Sequence, residues 1–172
     1  MQKTYSVYGK AKLLSTKFLL SLYKRNNFPV TILRLYLVYG PKQDINRIIP
    51  ITIFNAIQNK KFNCSAGNQT RDFIYIDDLI NVMIKIIKSN QFNGEIFNIG
   101  SGKTISIKKL ILKICKLTEG GYPQFGKIPF RKDEIIKIYP LLTKNKKNLA
   151  WQAKISLDQG LKKTIKYFRK NY

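Results

Sequence analysis

The chain has 172 residues, 44% of them hydrophobic, enough for one compact domain or a large piece of one that completes its core against a partner. Lysine and arginine number 32 against nine acidic residues, and with no histidine the formal charge is +23, a balance that points toward nucleic acid or another anionic surface. Cys64 and Cys115 lie far apart without a CxxC pair, which argues against a zinc site or a disulfide framework, and no apolar run approaches the roughly 20 residues of a membrane span.

The charge has a second explanation. The excess is almost all lysine, 26 against six arginines, and it accompanies abundant isoleucine and asparagine spread evenly along the chain. Basic runs such as Lys144 to Lys147 and Lys162-Lys163 sit between apolar positions at helical spacing and read as solvated faces. A small basic protein that binds nucleic acid or an anionic surface is therefore the alternative reading. With no signal-peptide core at the start, the expected location is the cytoplasm.

Taken in chain order, Ala11, Leu14, Phe18, Leu19 and Leu22 recur at three and four and predict an amphipathic helix over residues 10–24. Residues 30–38 are apolar almost throughout, as in a strand buried on both faces of a parallel sheet, and Gly40-Pro41 stops them. A helix is expected over 48–60, with Pro50 in its first turn, followed by a Gly67-Asn68 turn and a short strand at 73–76. Asp77-Asp78 supplies an N-cap and negative charge for a helix to about Lys88, with Leu79, Val82, Met83, Ile86 and Ile87 as its stripe. Asn93-Gly94 is a turn, 96–99 a strand, and Ser106 caps a helix carrying Ile107, Leu110, Ile111, Ile114 and Leu117, which ends at Gly120-Gly121. Ser156 to Gln159 forms a capping box for a last helix with Leu161, Ile165 and Phe168 on one side. The alternation is α/β, yet it opens on a helix with no strand before it.

Tyr8 and Lys12 stand four apart at the start of the first helix, on one face. An unaided tyrosine hydroxyl titrates near pH ~10, and an ammonium held close favours the phenolate, so such a pair suits proton transfer. Arg71 is conspicuous where arginine is scarce, because its planar fork grips a pyrophosphate in two places; a structural pair with Asp72 is the competing reading. Gly100 to Gly102 precedes a helix but is too short for a Gly-x-Gly-x-x-Gly loop, and no acidic residue follows at the ribose distance. Trp151 and Tyr139 read as packing aromatics.

These segments together resemble the extended short-chain dehydrogenases, NAD(P)-dependent epimerases and dehydratases of sugar nucleotides, in the expected order over nearly the whole chain. Tyr8-Gly-Lys-Ala-Lys12 is similar to the family's Tyr-Gly-x-Ser-Lys, and Leu33-Arg-Leu-Tyr-Leu-Val-Tyr-Gly-Pro41 to Leu-Arg-x-x-Asn-Val-Tyr-Gly-Pro, with Leu37 where asparagine is usual. Gly67-Asn-Gln-Thr-Arg71-Asp72-Phe-Ile-Tyr-Ile-Asp77-Asp78 is nearly identical to Gly-x-x-x-Arg-Asp-Phe-x-Tyr-Val-Asp-Asp, the most specific stretch. Gln43-Asp-Ile-Asn46-Arg47-Ile-Ile-Pro50, Phe97-Asn-Ile-Gly-Ser-Gly102, and Ile128-Pro-Phe-Arg131 through Glu134, with Asp133 in place of a glycine, complete the pattern. Several of these resemble the CDP-abequose synthase branch.

The resemblance implies a fold and roles. The fold would be the C-terminal part of a Rossmann-type domain, residues 1–40 and 71–90, with a smaller α/β substrate domain, residues 41–70 and 91–172, and the Gly-rich N-terminal half absent. Tyr8 would be the acid/base and Lys12 the ribose ligand, with Tyr36 beside the cofactor, NAD or NADP, whose site would be incomplete. Asn46, Arg47, Arg71, Arg131 and Glu134 would hold the nucleotide-sugar, and no metal is implied. The expected function is that of a truncated nucleotide-sugar epimerase, dehydratase or reductase of surface-polysaccharide sugar synthesis, inactive without an upstream half. A separate N-terminal half and a second copy are the protein partners it leaves open, and exposed apolar surface is expected where they would pack.

Overall fold

The computed structural model describes residues 6–131 and 134–172. Helix α1, Val7–Asn26, starts on Ser6, whose hydroxyl accepts from Gly9 N, and ends where Asn27 takes the left-handed conformation. It is followed by β1, Ile32–Leu35, and β2, Leu37–Tyr39. The apolar run expected as one strand is therefore two: β1 lies parallel to β5, Ile96–Ile99, whereas β2 lies parallel to β4, Thr70–Tyr75. The break falls at Tyr36, so one largely apolar run serves two sheets.

Helix α2, Ile48–Ile57, has Pro50 in its first turn, where a missing N–H leaves no bond unmade. Short β3, Lys61–Asn63, pairs with β7, Tyr122–Gln124, and β4 is flanked on its other edge by antiparallel β6, Thr104–Ser106. Helix α3, Ile76–Ile87, starts from Tyr75 rather than from the expected aspartates. Asp77 and Asp78 lie within the first turn, where negative charge favours the positive helix end. Asp78 has a longer reach: its carboxylate accepts the N–H groups of Lys154 and Ile155 at 3.1 and 2.9 Å, pinning the segment that leads into the last helix.

Helices α4, Ile107–Thr118, and α5, Leu157–Asn171, begin as their sequences indicate, on Ser106 and on the Ser156/Gln159 capping box. Their apolar stripes meet α2 and the β2–β4 sheet in one core with Ile53, Leu110, Ile114, Leu161 and Phe168 at its centre. Packing there is close enough to require Gly160. A β-carbon at that position would sit 2.1 Å from the Tyr39 hydroxyl and 2.8 Å from the Tyr75 ring. A second core lies between α3 and β1–β5, where Phe97, Ile99 and Val82 are fully enclosed.

The first helix stands apart. None of its described residues is buried, and Leu14 and Phe18 of its predicted apolar stripe are 65% and 62% exposed. Its far end is held by Tyr23 against Gly94. Among the described residues no helix is long and apolar enough to cross a membrane, and no group of three or more metal-ligating side chains occurs.

Candidate functional site

Strand β4 is the axis of the site, because alternation sends successive side chains to opposite faces. Asp72 points inward, wholly buried, and its two oxygens accept the backbone N–H groups of Ser101 and Gly102 at 2.7 Å each. Burial raises its pKa and those hydrogen bonds oppose the rise. Arg71 does not pair with Asp72. Its guanidinium donates to Glu134 and, at 2.8 Å, to the Thr70 carbonyl, with the Arg71 and Glu134 side chains 13% and 20% exposed.

Arg71, Glu134 and Arg131 share a cavity of about 540 Å³ with α2, α4 and the Phe62 to Gln69 segment. Two guanidinium groups against one carboxylate leave a net positive charge in a wall otherwise made of apolar side chains, isoleucine foremost, and uncharged polar ones. Such a wall accepts a flat apolar group at one end and an anion at the other. Cys64 lines the same space; burial pushes its thiol up to about 11, so it enters the wall neutral.

A second cavity of about 490 Å³ begins on the other side of Arg71 and Leu37, with Tyr36, Asp72 and Asn98 in its wall. The Tyr36 hydroxyl donates to the Tyr139 carbonyl at 3.0 Å, and burial, reinforced by Asp72, raises its pKa. Tyr36 thus presents an occupied hydroxyl and the edge of a ring. A third cavity of about 700 Å³ separates α1 from β1 and holds Tyr8 and Lys12, and it shares Arg34 and Leu35 with the second. The Lys12 ammonium lies over the Tyr8 ring, 5.5 Å from its centroid, and the tyrosine is 73% exposed. Lining residues therefore link three spaces end to end, from Cys64 past Arg71 to Tyr8.

Of the residues expected from sequence, Tyr8, Lys12, Tyr36, Arg71, Arg131 and Glu134 all line this track. Asn46 and Arg47 lie exposed at the entry to α2, where the Asn46 N–H donates to Asp44 and Arg47 occupies the N-cap, and neither lines these cavities. Asp133 falls outside the described residues. Sequence reasoning passed over Cys64 and Gln69, both in the wall of the first cavity. Gln69 stood at a variable place in the most specific motif, and nothing in a single sequence marks it.

The description of one family agrees with this arrangement: the NAD dependent epimerase/dehydratase family matches residues 1–100. The chain belongs to that family. Human dTDP-D-glucose 4,6-dehydratase is 29% identical over 96% of this chain and 49% of its own length. CDP-abequose synthase of Salmonella muenchen is 35% identical over 77% of this chain and 46% of its own. Among solved structures, the Bacillus cereus UDP-glucuronic acid 4-epimerase in complex with UDP-glucuronic acid and NAD is 28% identical, with a TM-score of 0.89 over all of this chain and 55% of that one. The chain spans about half the length of the curated relatives it matches. As a member of the epimerase/dehydratase family it has the Rossmann-like α/β fold of the C-terminal half of the extended short-chain dehydrogenases, as its motifs implied.

Proposed function

We propose that this chain supplies the substrate clamp and acid/base pair of an NAD-dependent nucleotide-sugar epimerase, dehydratase or reductase. The observation that carries the reading is the linked track: a positive, partly apolar cavity at Arg71 and Arg131 runs past Tyr36 to Tyr8 and Lys12. In it the diphosphate of the substrate lies against Arg71 and Arg131, Glu134 takes a ribose hydroxyl, and the sugar extends past Leu37 toward Tyr8. Asn46 and Arg47 serve the same anion from the entry of α2, where a helix N-terminus favours negative charge.

Tyr8 moves the proton of the reacting sugar hydroxyl, with the Lys12 ammonium held over its ring. The groove between α1 and β1 suits the nicotinamide ribose end of a dinucleotide, with Lys12 as its hydrogen-bond donor and Tyr36 near the β1 end. NAD bound there supplies the hydride acceptor and donor. Turnover in this reading also draws on a Gly-rich pyrophosphate loop, which these 172 residues do not themselves supply. Residues 1–40 and 71–90 belong to the dinucleotide domain and 41–70 and 91–172 to the substrate domain. Exposed Leu14 and Phe18 offer apolar surface to that half or to a second copy. The activity is assigned to the cytoplasm and to sugars destined for surface polysaccharide.

The test is calorimetric titration of CDP- and UDP-sugars into the chain and into Arg71→Ala and Arg131→Ala variants. A hydrogen bond to a charged partner contributes roughly 1.5–3 kcal/mol, so each variant is expected to bind about 10 to 150 times more weakly. Equal, negligible binding by all three proteins refutes the clamp.

A further inference from the structure

We propose that Gln69 reads the nucleobase of the nucleotide, an assignment that rests on the clamp reading above. Among the described residues, three buried side-chain polar atoms have no hydrogen-bond partner, the carbonyl oxygens of Gln43, Gln69 and Asn145. Of these, Gln69 lines the Arg71 cavity. Its amide nitrogen makes one long contact, 3.5 Å to the Ser65 hydroxyl, and its oxygen is left with two open lone pairs in an enclosed wall. A buried acceptor without a donor is unfavourable, and a ligand that donates to it recovers that loss on binding.

Several neighbouring polar groups are already engaged. The Cys64 N–H donates to Gln124 at 2.9 Å and its carbonyl accepts from Ile128 at 3.1 Å. The Thr52 hydroxyl and the Asn55 amide nitrogen are turned back onto carbonyls of α2. Asn63 and Ser65 also line the cavity, but among the described residues of this wall only Gln69 has a buried amide oxygen without a partner, and it offers that acceptor beside a donor. That pairing matches the N3–H and O4 edge of uracil or thymine and the N4 amino and N3 edge of cytosine. Gln69 lies two residues before Arg71, and side chains two apart on extended backbone stand about 7 Å from one another, the scale of the ribose between a base and its diphosphate.

The experiment is calorimetric titration of UDP, CDP, 3-methyl-UDP and inorganic pyrophosphate into the 172-residue chain and into Gln69→Leu, with Gln69→Met as a second apolar replacement in case the leucine variant misfolds. The expected result is a loss of about tenfold or more in UDP and CDP affinity, equal binding of 3-methyl-UDP by variant and parent, unchanged pyrophosphate affinity, and a melting temperature no lower than the parent's. Undiminished UDP and CDP binding by both variants overturns the assignment. So does a parallel loss of pyrophosphate binding with a lowered melting temperature, which marks Gln69 as structural. If the unsubstituted chain takes up none of the four ligands, the clamp reading falls and the base assignment with it. If it binds pyrophosphate while Gln69 substitution changes nothing, only the base assignment falls.

Discussion

Replacing Asp72 by alanine should release the Ser101-Gly102 loop from strand β4. The carboxylate is wholly buried and receives two backbone N–H groups, from Ser101 and Gly102, at 2.7 Å. Hydrogen bonds to a charged acceptor contribute roughly 1.5–3 kcal/mol each, which sets a gross loss of about 3–6 kcal/mol. Two effects reduce it: Asp72 borders the second cavity, so water can reach part of the vacated space, and the buried charge itself carried a desolvation cost. The expected net destabilisation is about 2–4 kcal/mol for Asp72→Ala. Asp72→Asn keeps one acceptor oxygen and turns an NH₂ toward the other donor, so it should lose about 1.5–3 kcal/mol. Urea denaturation followed by circular dichroism measures both, at unchanged slope. A midpoint shift equivalent to less than about 0.5 kcal/mol for the alanine variant would refute the latch, because that is the range of inert surface changes.

Gly160→Ala sets helix propensity against packing: alanine favours α5 by about 1 kcal/mol, but its methyl would meet the enclosed Tyr39 hydroxyl and Tyr75 ring. Overpacking costs about 1–3 kcal/mol, so the variant should melt at a lower temperature, and a higher one contradicts the packing. Because burial raises the Cys64 thiol to about 11, it should react slowly with thiol reagents at pH 8 until urea exposes it. The sign in stability follows: between the ordinary thiol pKa and about 11 the unfolded chain has lost a proton that the fold retains. Stability from this group is full below that window and lost as pH rises through it, and Cys64→Ala should flatten the alkaline decline in denaturation midpoint. With +23 formal charge and mostly exposed ion pairs, repulsion among lysines should outweigh those pairs. The urea midpoint should therefore rise between 50 and 500 mM NaCl, and a fall would mean the pairs dominate.

The elements most legible in the sequence were those whose signals are local. Ser106 and the 107, 110, 111, 114 stripe define α4, and all four of those side chains are buried. The Ser156/Gln159 box forms as read. What escaped depends on distant partners. Tyr36 divides β1 from β2 because β5 and β4 draw the two halves into different sheets, and the apolar run between 30 and 38 carries no punctuation to announce it. Asp78 looked like a helix cap because the N–H groups it accepts lie 76 and 77 residues away. The three-residue strands β3, β6 and β7 are too short for a periodicity to register. In the site, motif spacing named the charged residues, and Arg71 stood out by its scarcity. Its partner was not: an adjacent Asp72 suggests a pair by proximity in sequence, yet neighbours on a strand face opposite ways, which sends Asp72 to the loop and leaves Arg71 to Glu134.

That exchange of partners bears on how the clamp can work. Glu134 holds the Arg71 guanidinium within the cavity wall, so the side chain gives up much of its rotamer freedom on folding. A diphosphate approaching this wall meets an ordered fork, with the entropic cost of ordering largely met on folding, and Arg131 in the same cavity makes the local balance positive. The carboxylate opposes the anion at close range, and the opposition selects. A ligand that places ribose hydroxyls, which donate, against Glu134 and its phosphates against the two arginines satisfies all three groups, whereas a bare phosphate leaves the carboxylate to repel it. In the proposed clamp the neighbouring charges would thus favour a nucleoside diphosphate over simpler anions, even in a chain with so large an excess of lysine.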